Sequence, residues 1–152
     1  RLVETQIAEN KLSEAKEILD LSMENLPVKG FDYYNFVVPF LEGYYALGAP
    51  EDARVIFYEL KTIYQEHLDY YALMDVASQY DRIQDIIENL EGYRRILDVL
   101  ATGDSEEITQ RERDEFEGFM DKFSHFYEGM EAPPTVDPDL PQEDLELMPL
   151  DN

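Results

Sequence analysis

The residues best suited to acid–base or metal chemistry in this chain are two histidines, His67 and His125. Neither has a second metal-ligand side chain four residues further on, which is the spacing that places two ligands on one helix face. Glu66 and Asp69 lie beside His67, but such neighbours are common on charged helix surfaces, so we expect a solvated position. The sequence contains no Cys, which excludes disulfides, thiolate zinc sites and a cysteine nucleophile.

Other signatures of enzyme chemistry are also absent. There is no glycine-rich phosphate loop, no nucleophile elbow and no calcium-binding loop. We interpret the acidic pairs Glu106-Glu107 and Asp114-Glu115 as hydrated helix surface, where acids in a first helical turn also complement the helix dipole. No active site can be named from these residues, and we therefore expect no catalytic residue, no cofactor and no bound metal.

The charge of the chain restricts its partners. Only 12 Lys and Arg oppose 35 Asp and Glu, which gives a formal net charge of -23. This field repels nucleic acid phosphates and anionic lipid headgroups and favours a basic protein or peptide. No apolar run approaches the 18 or so residues of a membrane span, so we expect membrane association only through a region outside this sequence. Because Arg1 opens inside a helical pattern, we also expect the natural polypeptide to continue upstream.

Apolar residues recur at three- and four-residue spacing along most of the chain, which predicts an all-α fold. Pro39 should kink its helix or delay the start of that helix, Gly48 suits a left-handed helix end, and Pro50 suits a helix start. Leu12, Ala15, Ile18, Leu19 and Met23 should form one buried stripe. The predicted helices are 2–9, 13–25, 33–47, 50–73, 79–101 and 105–129.

Two segments resemble the middle of a tetratricopeptide (TPR) repeat, in which Asn or Gly turns the chain and a small residue follows five positions later. They place Asn10 before Ala15 and Gly48 before Ala53. The two alanines are 38 residues apart, against an ideal period of about 34, which indicates an insertion at 28–31. The alternative is an ordinary helical bundle, in which similar hairpins also occur.

The TPR-like interpretation divides the chain into a helical domain, 1–130, and an acidic, proline-rich tail, 131–152. Within the domain it predicts antiparallel hairpins at about 1–27 and 33–73. Helices at about 79–129 would form a C-terminal capping hairpin over the open end of the array.

The tail has the composition of a disordered segment, with four prolines between 133 and 141 and seven acidic residues but no basic one. It ends in a short apolar patch, formed by Leu145, Leu147, Met148 and Leu150. We consider two alternatives: either this patch docks in an apolar groove of this chain or a neighbour, or the tail has no specific contact.

In a TPR array the first helix of each hairpin lines the concave binding surface. Transferring the repeat pattern residue by residue places six residues there: Glu4, Ala8, Asn35, Val38, Glu42 and Tyr45. The basic residues and Asn with which one class of TPR holds a terminal carboxylate are not matched at these positions. A cluster formed by Tyr33, Tyr34, Tyr44, Tyr45, Tyr70 and Tyr71 offers a platform for a glycan, or else packs between helices with hydroxyls at the rim.

Four segments carry a closer resemblance to one family: 15–27, 34–39, 42–48 and 64–71, with Leu68-Asp69-Tyr70-Tyr71 the most specific part. They are similar to the C-terminal soluble region of large bacterial multi-spanning membrane proteins. The N-terminal part of those proteins resembles protein O-mannosyltransferases and other glycosyltransferases that use lipid-linked sugars. The likeness covers about residues 1–101, and no family pattern continues beyond Gly103.

This resemblance implies a non-catalytic accessory domain of a membrane glycosyltransferase-like protein. It would lie on the periplasmic side of a bacterial inner membrane and position acceptor or partner polypeptides. Two other functions fit the residues: a free-standing TPR-like adaptor that binds a basic peptide, and a tyrosine-lined module that binds sugar.

Overall fold

The computed structural model describes residues 2–25 and 34–128, and within those ranges it describes the side chains of 8–25 and 36–128. The predicted insertion at 28–31 and the whole tail, 131–152, lie outside the described residues. Described residues form six α-helices and no strand, which confirms the all-α prediction. The helices are α1 Leu2–Asn25, α2 Val38–Ala46, α3 Pro50–Ala72, α4 Val76–Asp81, α5 Ile83–Gly103 and α6 Glu106–Lys122.

α1 corrects the predicted first hairpin. Instead of two helices at 2–9 and 13–25, one continuous helix of 24 residues runs through Asn10 and Lys11. The reason is that Asn disfavours a helix interior by less than about 1 kcal/mol relative to Ala, and no Gly or Pro stands nearby to break the helix. The segment that was expected to form a first hairpin unit, 1–27, therefore contributes a single helix.

The predicted buried stripe of α1 is only partly confirmed. Leu19 and Met23 pack against the core, but Leu12 is exposed and Ile18 is 66% exposed. Leu19 reaches α2 at Gly43, where an added Cβ would lie 3.1 Å from Leu19 Cδ1. α1 is thus held to the domain by its C-terminal half, through α2.

The turn chemistry predicted for α2 and α3 is confirmed. A 3-10 turn, Tyr34–Val37, precedes α2, and Pro39 occupies the first turn of that helix, where its missing N–H leaves no hydrogen bond unmade. Gly48 has a φ of 71° and joins the two helices. Pro50 is the first residue of α3.

α3 and α5 form the centre of the domain. They run antiparallel, as Tyr64 stacks on Tyr93 and Arg54 bonds Asp104. Ile86, Leu90, Leu97 and Leu100 of α5 are buried. α2 packs against both α3 and α5. α6 packs mainly against α5 and makes a smaller contact with α3.

The last two predicted helices are divided further than expected. Residues 79–101 belong to α4 and α5, and α4 begins where Asp75 accepts a hydrogen bond from the backbone N–H of Ser78 at 3.0 Å. Ser105 caps α6 by accepting a hydrogen bond from the N–H of Ile108. α6 ends at Lys122 rather than near 129. There the amides of Phe123 and Phe126 bond carbonyls three residues back and tighten the chain into a 3-10 turn.

Candidate functional site

An open groove between α1 and α3 is the candidate functional site. Its volume is about 460 Å³, and it runs along the C-terminal half of α1. Three residues supply apolar surface: Met23 is half-buried, Ile56 is buried and Val55 is 60% exposed. The other lining residues are Asp20, Glu24, Tyr44, Asp52 and Glu59.

The rim of this groove is acidic. The Tyr44 hydroxyl donates a hydrogen bond of 2.6 Å to Asp20, and Lys16 lies 2.9 Å from Asp20 and 3.3 Å from Asp52. These hydrogen bonds, first from Tyr44 and then from Lys16, hold the pKa of Asp20 below its ordinary value. Four carboxylates line the groove, and among the described residues one cation, Lys16, pairs with them. The described part of the groove therefore has a net negative charge.

Two of the rim carboxylates are available to a ligand. Glu24 and Glu59 make no hydrogen bond or ion pair within the part of the chain that the structure describes. Paired with the apolar surface of Met23 and Val55, they favour a segment that is apolar on one side and cationic on the other.

Of the six residues predicted for a concave surface, the four whose side chains the structure describes, Ala8, Val38, Glu42 and Tyr45, do not line this groove. Val38 is 1% exposed and belongs to the core, so it is excluded as a contact residue. Tyr45 is half-buried and donates a hydrogen bond of 2.8 Å to Asp104. Ala8 and Glu42 are exposed on α1 and α2. The side chains of Glu4 and Asn35 lie outside those described.

The tyrosines do not share one exposed platform within the described residues. Tyr44 is buried and Tyr45 half-buried, each with its hydroxyl on a carboxylate, so both pack between helices as the second alternative proposed. Tyr70 is exposed and meets Tyr71 edge to face at 5.5 Å between ring centroids. Tyr33 and the side chain of Tyr34 lie outside what the structure describes.

A buried network of charges joins α3 to α6. Lys61 Nζ lies 2.5 Å from a carboxylate oxygen of Glu112, which is 2% exposed, and it also bonds Glu115. Arg111 pairs with Glu112 from the solvent side at 3.0 Å. Although burial favours the neutral amine, hydrogen bonds to Glu112 and Glu115 raise the pKa of Lys61.

This network was not predicted from the sequence. Glu115 had been interpreted as hydrated helix surface, yet it accepts hydrogen bonds from Lys61 and Gln65. Composition alone does not distinguish Glu112 from the other acidic residues of the chain. The one sequence signal for burial is its spacing: it lies seven residues before Phe119, on the apolar face of α6. Its ion pair with Lys61 joins α6 to α3.

The two histidines are separate. His67 is exposed, as predicted, and its Nδ1 lies 2.9 Å from Asn89 Oδ1. His125 packs against the rings of Tyr80 and Phe126. Across residues 2–25 and 34–128, no three metal-ligating side chains are grouped to hold an ion. Over the same ranges, no helix combines the length and the apolar character needed to cross a bilayer.

Comparison with known proteins gives no match: no family model, no curated protein and no solved structure is significantly similar to this chain.

Proposed function

We propose that this chain is a non-catalytic, TPR-like interaction module that binds a basic, amphipathic segment of a partner polypeptide in the groove between α1 and α3. The observation that carries the proposal is the combination of apolar surface at Met23 and Val55 with the carboxylates Glu24 and Glu59, which pair with no side chain that the structure describes. The net charge of -23 supports it further, because it attracts cationic ligands from a distance.

The helix packing supports the TPR-like part of the proposal. The α2–α3 pair is followed by α5–α6, with α5 packed against both helices of the first pair and α6 against α3. Consecutive hairpins of a helical solenoid have these neighbour relations. In this arrangement α1 occupies the position of the second helix of a hairpin that precedes α2–α3. The groove therefore lies between the second helices of two successive hairpins, α1 and α3.

The wider setting that we propose is the accessory role implied by the family resemblance. In that setting the bound segment would belong to an acceptor or partner polypeptide of a membrane glycosyltransferase-like protein. The genomic sequence upstream of Arg1 tests this setting: a series of apolar stretches of about 20 residues each would support it. An upstream region without such stretches would contradict it and would favour the free-standing adaptor.

Binding to the groove is tested with a fluorescently labelled amphipathic peptide rich in Arg and Leu, and with a peptide in which Glu replaces each Arg. We expect the basic peptide to bind, the acidic one not to bind, and affinity to fall as salt rises. Glu59→Lys reverses a charge within the groove and should weaken binding about tenfold or more. Glu117→Lys makes the same change on an exposed position of α6 and serves as the matched control.

Equal effects of Glu59→Lys and Glu117→Lys would show that attraction is only general and would contradict the assignment of the groove. Failure of every basic peptide to bind would contradict the proposal itself. The sugar-binding alternative is tested separately by titrating oligosaccharides while following tyrosine fluorescence, because the chain has 11 Tyr and no Trp.

A further inference from the structure

A second groove, between α5 and α6, has a different character. It is smaller, about 140 Å³, and is lined by Ile87, Leu90, Glu91, Arg94, Phe116, Met120 and Tyr127. Leu90 is buried, and Ile87, Phe116 and Met120 are half-buried, so their apolar side chains form most of its wall. Lys61 contacts Glu112 and Glu115 of α6, whereas Phe116 and Met120 of α6 line the groove. The groove therefore lies on a different side of α6 from the Lys61 network.

One arginine lines this groove, and a second lies close to it on α6. Arg94 lines it, and Arg113 precedes Phe116 by three residues, which places it one turn away on the same side of α6. Neither makes an ion pair within residues 2–25 and 34–128.

The described chain also ends here. Tyr127 is itself a lining residue, and Glu128 follows it directly. Sixteen residues then separate Glu128 from Leu145, a length that spans up to about 50 Å when extended. The apolar patch at Leu145–Leu150 can therefore reach any part of this groove.

We propose that the segment Leu145–Leu150 of the same chain occupies the α5–α6 groove, with its leucines and Met148 against the apolar wall and its acids beside Arg94 and Arg113. Glu143, Asp144 and Glu146 stand next to or within the apolar patch, so one short segment carries both features that the groove complements.

Charge selects this groove over the others. The α1–α3 groove presents Glu24, Asp52 and Glu59, which repel an acidic segment. The cavity near Leu73 has one cation, Lys122, and that ammonium is already 2.7 Å from Asp69.

The α5–α6 groove is lined by one carboxylate, Glu91, and one cation, Arg94, whereas the α1–α3 groove is lined by four carboxylates and no cation among the described residues. Repulsion from more distant acids falls off over a Debye length of about 8 Å at physiological salt, so the lower negative charge at the α5–α6 groove favours an acidic segment there.

Engineered cysteines in the chain 1–152 test this contact. This sequence has no Cys, so Met120→Cys with Met148→Cys provides a unique pair for a short bifunctional maleimide. The matched control is Met23→Cys with Met148→Cys, because Met23 is a half-buried methionine of the acidic groove. We expect intramolecular cross-linking of the Met120→Cys pair to be at least about tenfold faster, as docking raises the effective concentration.

Arg94→Glu, added to the Met120→Cys pair, should remove most of this advantage, while circular dichroism reports an unchanged fold. Equal rates for the two pairs would overturn the proposal. So would cross-links found only between two chains, which would instead indicate docking on a second copy. The result is independent of peptide binding in the α1–α3 groove, so either proposal can fail without the other.

Discussion

The guanidinium of Arg54 and the carboxylate of Asp104 form a two-pronged ion pair across 50 positions of sequence. Arg54 Nε and Nη2 donate hydrogen bonds of 2.7 Å and 2.8 Å to the two oxygens of Asp104, whose side chain is 0% exposed. Tyr45 donates a third. The pair thereby ties the start of α3 to the end of α5, where α6 is about to begin.

Asp104→Asn should lower the free energy of unfolding by about 2 to 3 kcal/mol, because it removes the charge from a buried pair and leaves Arg54 without its anion. Chemical denaturation with urea measures the change. Asp98→Asn, an exposed carboxylate on the same helix, is the control and should change stability by less than about 0.5 kcal/mol. Similar losses in both variants would contradict a special role for Asp104.

The same carboxylate predicts a pH dependence. The hydrogen bonds from Arg54 lower the pKa of Asp104 from 3.8 to about 2. Because the pKa is lower in the folded state, the stabilisation is fully present above pH 4 and is lost as the pH falls from about 4 to 2. The difference in stability between the natural chain and Asp104→Asn should therefore shrink over that range. A difference that stays constant down to pH 2 would contradict the assigned pKa shift.

Lys61→Met should be strongly destabilising, by about 3 kcal/mol, because it removes the ammonium partner of Glu112, whose side chain is 2% exposed. The double variant Lys61→Met with Glu112→Met removes both partners and should recover much of this loss, since apolar side chains replace a buried pair at little net loss. A urea double-mutant cycle measures the coupling. Additive losses in the two single variants would show that Lys61 and Glu112 are not coupled.

Local signals in the sequence predicted the α2–α3 hairpin. Pro39, Gly48 and Pro50 restrict the backbone of their own positions, so their consequences are visible without tertiary structure. The continuous α1 was missed for the opposite reason: Asn10 resembles a repeat turn but has too weak a preference to break a helix that neighbouring residues favour.

The candidate site was less predictable, because it depends on how helices are offset against each other. Val38 occupies a surface position in the transferred repeat pattern, yet it begins α2 next to Pro39 and points into the core. The pairing of Lys61 with Glu112 spans 51 positions and is one of many possible pairs in so charged a chain. Only packing distinguishes such a pair from solvated neighbours.

Uneven packing of α1 predicts uneven hydrogen exchange. Leu12 and Ile18 are exposed, whereas Leu19 and Met23 contact the core, so the amides of 8–15 can open without disturbing the domain. In deuterium exchange with mass spectrometry, we expect peptides from 8–15 to exchange at least about tenfold faster than those from 17–25. Peptides from α5 provide the fully protected reference. Equal protection along α1 would indicate that its first half is packed.

Two glycines in helix interiors give opposite predictions for one substitution. An added Cβ at Gly118 would meet no atom within 4 Å, so Gly118→Ala should stabilise α6 by about 1 kcal/mol, which corresponds to a rise in Tm of roughly 3 °C. At Gly92 the same Cβ would lie 2.5 Å from Cε1 of Tyr64, a buried ring stacked on Tyr93. Gly92→Ala should therefore lower stability by about 1 to 2 kcal/mol despite the better helix propensity, because the buried ring would have to shift within a packed core. Thermal unfolding of both variants measures these two changes in stability. A stabilised Gly92→Ala would mean that Tyr64 can move and that α3 and α5 are less tightly packed than their stacked rings indicate.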